Sequence, residues 1–266
     1  MSGHAIITGG SSGIGLALGK LLAKQGYALT LLARDKERLE SAADLLQSMG
    51  APVFWRSVDV SDANRVGEVI NEAVRTHGPI QLAILSAGVA VPGYFEDLTP
   101  EIFENAMNVN YFGTLNCIRA ALPHMKAATG QRHIVLISSG AGLVGIFGYG
   151  AYAPSKFAVR GLGEVLRAEL VTKQIGVSVV YPPDTATPQL DAENLTKPFE
   201  TRAITAKGGV WRADDVANAV LNGVRRRRFI IAPGPTMTLL AGLHSLLGPL
   251  LRRSFDRAAA NARRPR

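Results

Sequence analysis

Cysteine is almost missing from this chain: Cys117 is the only one in 266 residues. No internal disulfide can form, and a reducing compartment is the natural setting. Aromatic residues reach only 6% and none alternates with the basic residues, so the stacking platforms that hold single-stranded nucleic acid are absent. The five histidines, at 4, 77, 124, 133 and 244, show no ligand spacing, and no resident metal is expected. Charged residues are too few, at 19%, and hydrophobic ones too many, at 47%, for a disordered chain. The longest uncharged stretch, 229–251, is broken by Pro233, Gly234, Pro235, His244 and Pro249. A bilayer span needs about 20 predominantly apolar residues in one helix, so none is expected. No basic and apolar leader precedes the first strand, and no cleavable signal is expected.

Acidic residues are scarce only at the end. Residues 1–224 carry 19 basic and 20 acidic side chains, whereas the last 42 carry ten arginines and Asp256 alone. The net charge of +8 is therefore a body at −1 with a tail at +9. Such a tail suits a membrane surface or an anionic ligand. No nucleic-acid partner is expected.

Short apolar runs alternate with helical patterns, the rhythm of βαβ units. The pattern predicts strands near 4–8, 27–33, 52–58, 81–86, 132–138, 176–181 and 228–232. Helices are predicted near 13–25, 35–49, 62–77, 101–129, 152–173 and 213–225. Runs such as Leu29-Thr30-Leu31-Leu32 and Ile134-Val135-Leu136-Ile137 are apolar without alternation, as strands covered on both faces require. The fold class is α/β: a Rossmann-type, doubly wound, parallel seven-stranded sheet with helices on both faces. One catalytic domain covers 1–235. Pro182 to Lys207 is rich in proline, threonine and aspartate, reads as carrying no core element, and is assigned as a lid near 184–207 at the ligand edge of the sheet.

Two constellations carry chemistry. Thr8-Gly9-Gly10-Ser11-Ser12-Gly13-Ile14-Gly15 follows the first strand and opens the first helix, where backbone N–H groups can approach a pyrophosphate. The second strand ends at Arg34, with Arg38 a turn further on. Two guanidiniums suit a 2′-phosphate, hence NADPH rather than NADH. Asp35 either opposes this or caps the next helix. The other constellation is Ser139, Tyr152 and Lys156. Tyr152 and Lys156 share a helix face, and an ammonium beside a phenol lowers a pKa that starts at about 10. Such a phenol can give a proton to a ketone oxygen, and Ser139, leaving the fifth strand, can orient that carbonyl.

With both constellations in view, residues 3–232 resemble the short-chain dehydrogenase/reductase family. The resemblance rests on Gly9, Gly13 and Gly15, on Asp59-Val60, on Asn110 within Asn108-Val109-Asn110-Tyr111-Phe112-Gly113, and on Ser139, Tyr152 and Lys156. It implies that Tyr152 is the proton donor, Lys156 holds the nicotinamide ribose, Ser139 polarises the carbonyl and Asn110 supports a water relay to Lys156. It also implies cofactor contacts at Asp59, Val60, Ala87, Gly88, Pro182 and Thr185, and a homodimer or homotetramer built from the helices at 101–129 and 152–173. Two positions depart from the family: Ser86 stands where it usually carries a strand-stabilising Asn, and Pro182-Pro183 where it usually carries Pro-Gly. The segment from Tyr181 to Thr201, with Phe147-Gly148 and Arg160-Gly161-Leu162, resembles members that reduce a long-chain lipid ketone. A reductase of another apolar ketone (steroid, retinoid or fatty-acyl) and a non-catalytic cofactor-binding scaffold are the alternatives.

In the tail, leucines at 239, 240, 243, 246, 247, 250 and 251 repeat every three or four residues and run into Arg252, Arg253 and Arg257. Over 236–266 this predicts an amphipathic helix with an Arg-rich end, either interfacial on a membrane or packed on the core or on a second subunit. The expected location is cytoplasmic, peripheral on the cytoplasmic face of a membrane. The acyl pocket is expected from Val89 to Phe95, Leu143 to Tyr149 and the lid, with Tyr94, Leu143 and Phe147 lining it.

Overall fold

The computed structural model describes residues 3–206 and 209–262. Lys207, at the end of the expected lid, and Arg263, Arg264 and Arg266 of the expected tail lie outside them. The first half alternates β1 (His4–Thr8), α1 (Gly13–Ala23), β2 (Ala28–Ala33), α2 (Lys36–Ser48), β3 (Val53–Ser57), α3 (Ala63–His77) and β4 (Ile80–Leu85). Then come α4 (Pro100–Met107), α5 (Gly113–Ala127), β5 (Arg132–Ile137), α6 (Tyr152–Leu170) and β6 (Ile175–Val180). A short pair β7 (Thr185–Ala186) and β8 (Trp211–Arg212) brackets α7 (Pro188–Thr196) and α8 (Phe199–Thr205). The chain closes with α9 (Ala213–Arg225), β9 (Ile230–Ile231) and α10 (Pro235–Ala262).

Seven strands form one parallel sheet in the order β3-β2-β1-β4-β5-β6-β9. Alternate residues point to opposite faces, so Ile6 enters the core under α3 and α5 while Ile7 enters the one under α1, α2 and α9. Both are essentially inaccessible, and each such side chain contributes about 1.5–3 kcal/mol. The strand order reverses between β1 and β4, which opens a crevice at the carboxyl ends of the strands.

Three expectations change. The predicted helix 101–129 is α4 and α5 joined by a π turn, Asn108–Phe112. Such single turns insert one residue and often mark functional sites. The 182–207 stretch is also more ordered than its prolines suggest. Pro188 sits in the first turn of α7 and Pro198 caps α8, so two residues read as breakers are helix starters. Leu190, Glu193, Lys197, Glu200, Thr201 and Ile204 are buried there, so the segment does contribute packed elements. The tail helix, finally, starts at Pro235, buries Met237 and Ala241, and packs on α8. His244 joins it to α6, where Arg160 donates to the His244 Nε2 at 2.9 Å. The leucines divide between two faces: Leu239, Leu243, Leu246 and Leu250 are exposed, while Leu240, Leu247 and Leu251 are half-buried.

Candidate active site

Where β1 meets α1 the chain makes its glycine turn, with Gly9 at φ +66° and Gly13 at φ +52°, a region closed to most side chains. Ser12 caps α1 without a side-chain hydrogen bond, so its hydroxyl takes none of the first-turn amides. Gly15 lies beneath the turn, where a Cβ would collide with the Gly9 carbonyl oxygen. Ser86, which stands where the family usually carries Asn, is held through its backbone from the neighbouring strand. Thr8 Oγ1 accepts from both Ser86 N and Ala87 N at 3.0 Å, tying the β4 exit to β1.

At the end of β2, Asp35 is committed to α2. Its carboxylate accepts from Arg38 N at 3.1 Å and faces Arg38 Nε at 3.2 Å. Arg34 reaches Asp59 at 3.9 Å, and Asp59 is held by the Ser61 amide and hydroxyl at 2.9 and 2.7 Å.

Asn110 occupies the π turn and is 1% exposed. Val89 N donates to its Oδ1 at 2.8 Å, and its Nδ2 donates to Val89 O at 3.0 Å and to Ser155 Oγ at 2.8 Å. Ser155 Oγ in turn donates to Tyr152 O. The side chain therefore clamps the segment after β4 onto α6, and no hydrogen bond joins it to Lys156. A Cβ on Gly88 would lie 3.1 Å from Asn110 Oδ1 and 3.3 Å from Lys156 Nζ, so all three converge.

Ser139 leaves β5 at the crevice, and its Oγ accepts from Ala141 N at 3.2 Å. Tyr152 opens α6 and Lys156 follows one turn later, 8% and 5% exposed. Lys156 Nζ donates to Ile137 O at 3.0 Å and lies 5.5 Å from the Tyr152 ring centre. Burial pushes Lys156 down to about 8, with the Glu193 carboxylate opposing it. The phenol moves opposite to the expectation: burial first and Glu193 second push Tyr152 above its ordinary value, while hydrogen bonding to Ser139 and Gln189 lowers it. Among the protein's own groups Lys156 is not what sets this balance. Tyr152 thus stays protonated at neutral pH, the form that can donate.

A single cavity of about 890 Å³ joins these parts. It is lined by every expected catalytic and cofactor-binding residue except Gly15 and Asn110, which act from behind it. Val91, Val144, Ile146 and Leu190 form apolar lining from the expected loops. Tyr94, Leu143 and Phe147 do not line it: Leu143 belongs to the core, and Tyr94 stacks edge-on against Phe147 and donates to Glu200. Met237, Leu240, Leu247, Leu251 and Phe255 of α10 supply a wall the sequence reading had not assigned to the pocket. Tyr149 and Glu193 lie in the segments expected around the pocket and do line it, but their contact with each other was not legible in the sequence. Tyr149 donates to Glu193 Oε2 at 2.7 Å, and its ring lies 5.3 Å from that of Tyr152.

A family model for short chain dehydrogenase matches residues 3–198. A 3-dehydrosphinganine reductase of Danio rerio is 38% identical over 252 residues, covering 93% of this chain and 76% of that protein. A 3-ketodihydrosphingosine reductase of Dictyostelium discoideum is 39% identical over 270 aligned positions, with 95% and 81% covered. Among solved structures, a short-chain dehydrogenase/reductase from Burkholderia phymatum in complex with NAD superimposes with a TM-score of 0.84 at 27% identity. That match covers 94% of this chain and 95% of the other.

Proposed function

The chain belongs to the short-chain dehydrogenase family, and from that premise we propose that it reduces the C3 ketone of 3-ketosphinganine to sphinganine with NADPH, a step of sphingolipid biosynthesis. The observation that carries this reading is one cavity shared by Ser139, Tyr152, Lys156 and the apolar wall of α10. A polar reacting end continuous with Leu240, Leu247, Leu251 and Phe255 suits a ketone on a long hydrocarbon chain. The names carried by the relatives point to the same substrate.

The residues present fit a nicotinamide dinucleotide, which when bound supplies the hydride. The amides of the Gly9 to Ile14 turn would hold its pyrophosphate, and Asp59 and Val60 would flank the adenine. Arg34 and Arg38 would pair with a 2′-phosphate. The rival carboxylate, Asp35, is already satisfied as the α2 cap, which supports NADPH over NADH. Ala87, Gly88, Pro182, Thr185, Tyr152 and Lys156 would complete the contacts. Ser139 orients the ketone oxygen by hydrogen bonding, and Tyr152 gives that oxygen its proton as it becomes an alcohol. Lys156 holds the ribose and keeps positive charge beside the phenol, and Asn110 fixes the α6 register through Ser155 and supports a water relay to Lys156.

The test is NADPH oxidation with 3-ketosphinganine in mixed micelles, run beside NADH and beside Tyr152→Phe. The variant should lose about 10²- to 10⁴-fold in turnover while still binding NADPH. Undiminished turnover in it would overturn the assignment, and turnover only with another ketone would replace the substrate.

The chain is further proposed to form a homodimer or homotetramer and to touch a membrane surface peripherally from the cytoplasmic side. The first is supported by Phe157, Gly161 and Val165, an exposed small and apolar row on α6; a monomeric mass in sedimentation equilibrium would refute it. The second is supported by exposed Leu243, Leu246 and Leu250 followed by Arg252 and Arg253. Among the described residues no helix is long and apolar enough to cross a membrane.

A further inference from the structure

The lid helix α7 carries an inward polar stripe. Thr187 caps it, its hydroxyl accepting from Leu190 N at 3.3 Å, and Pro188 starts it. The register then places Gln189 and Glu193 on one face. Both line the cavity, and Glu193 is 7% exposed. Its carboxylate is held by two neutral donors, the Tyr149 hydroxyl at 2.7 Å on Oε2 and Gln189 Nε2 at 2.9 Å on Oε1. The Tyr149 ring lies 5.3 Å from that of Tyr152. Glu193 is thus one side chain removed from the proton donor.

A carboxylate buried this deeply is costly unless a cation answers it. Among the described residues none pairs with Glu193. Lys197, one turn on, pairs with Asp184 at 3.5 Å, and Lys156 donates to the Ile137 carbonyl. The carboxylate is fixed in orientation and has no cation in direct contact, Lys156 answering it only across space, beside the atoms that receive the ketone. It therefore suits a ligand bringing a positive charge next to its carbonyl.

We propose that Glu193, oriented by Tyr149 and Gln189, is the receptor for the ammonium group that the substrate carries one carbon from its ketone. This rests on the amino-ketone reading above and deepens it. Glu193 selects a 2-amino ketone over an equally long ketone without the amine, and the ion pair sets which way the carbonyl faces Ser139 and Tyr152. The far chain needs only apolar wall, whereas the head requires a charge match.

The experiment compares 3-ketosphinganine with its deamino counterpart, a long-chain 1-hydroxy-3-ketone, on wild type, Glu193→Gln and Glu193→Asp. Wild type should favour the amino ketone by about 10- to 100-fold in kcat/KM, the range of a hydrogen bond to a charged group. Glu193→Gln should erase most of that ratio, chiefly through KM, and Glu193→Asp, which keeps the charge, should restore part of it. Equal losses on both substrates would overturn the proposal and make Glu193 a packing residue of α7. Should Glu193→Gln fail to bind NADPH, wild type alone still decides, because N-acetylating the substrate removes its charge and must cost a similar factor. Absence of any turnover of 3-ketosphinganine by wild type would refute the substrate reading itself; turnover without preference for the amine would refute only the role of Glu193.

Discussion

Thr8→Val tests how the β4 exit is held. The Thr8 hydroxyl accepts two backbone amides, Ser86 N and Ala87 N, each at 3.0 Å. Valine has nearly the same shape, so at this 2%-exposed position the change is chiefly the loss of the hydroxyl. A fully buried orphaned donor costs about 1–3 kcal/mol. Ser86 and Ala87 are only half-buried, so water reaches the freed amides in part. The expected loss for the pair is therefore about 1–3 kcal/mol in all. At this chain length that lowers Tm by about 2–10 °C. Ala87 and Gly88 line the cavity, so NADPH should bind more weakly as well. Thermal unfolding and NADPH titration of wild type, Thr8→Val and Thr8→Ser would be compared. Thr8→Ser keeps the hydroxyl and should retain most of the stability and affinity. A Thr8→Val protein as stable as wild type, or one no worse than Thr8→Ser, would refute the reasoning.

The remaining predictions concern cofactor choice, chain length, acid stability and the membrane. Arg34→Ala with Arg38→Ala should raise the KM for NADPH about tenfold or more and leave that for NADH little changed; equal effects on both would remove the 2′-phosphate contact. Leu247→Ala should shift the preferred acyl chain toward longer substrates in a chain-length series, and an unshifted profile would remove α10 from the acyl pocket. Burial holds His4 and His133 down at about 4. Both lie well below the ordinary histidine value, so the unfolded chain binds more protons between about 6.5 and 4. Stability from these groups is present above about 6.5 and is lost as pH falls toward 4; urea midpoints that do not drop across this window would contradict it. Leu246→Ser with Leu250→Ser should reduce sedimentation with anionic vesicles, whereas equal sedimentation would count against an interfacial α10.

The sheet was readable because β1, β2, β4, β5 and β6 are short, mostly apolar stretches, such as Leu29-Thr30-Leu31-Leu32 and Ile134-Val135-Leu136-Ile137, between glycine, proline or charged punctuation. The glycine turn and the Ser139, Tyr152 and Lys156 spacing were equally local signals. What escaped was non-local. Nothing within Asn108–Phe112 distinguishes a π turn from a continuous helix, because the extra residue is tolerated through contacts that Asn110 makes 21 and 45 residues away. Pro188 and Pro198 can stop a helix or start one, and the choice depends on Thr187 and on what α7 buries. Glu193 is only one residue of a lid in the sequence, and its burial follows from Tyr149, 44 positions earlier, which donates to its carboxylate. The tail leucines carried a period but no direction, and only the position of α8 decides which of them meet the cavity.

That wall has a consequence for the order in which the protein becomes useful. The glycine turn, Arg34, Arg38, Ser139, Tyr152 and Lys156 all precede residue 180, with Pro182 and Thr185 close behind, but the cavity is walled by residues as late as Phe255. During synthesis the nucleotide half can therefore be finished while the lipid half is still incomplete. Capacity for the cofactor comes first and the full wall for the long chain last, so a chain cut between β9 and α10 would keep its cofactor cradle but hold the hydrocarbon by the loop lining of Val91, Val144, Ile146 and Leu190 alone.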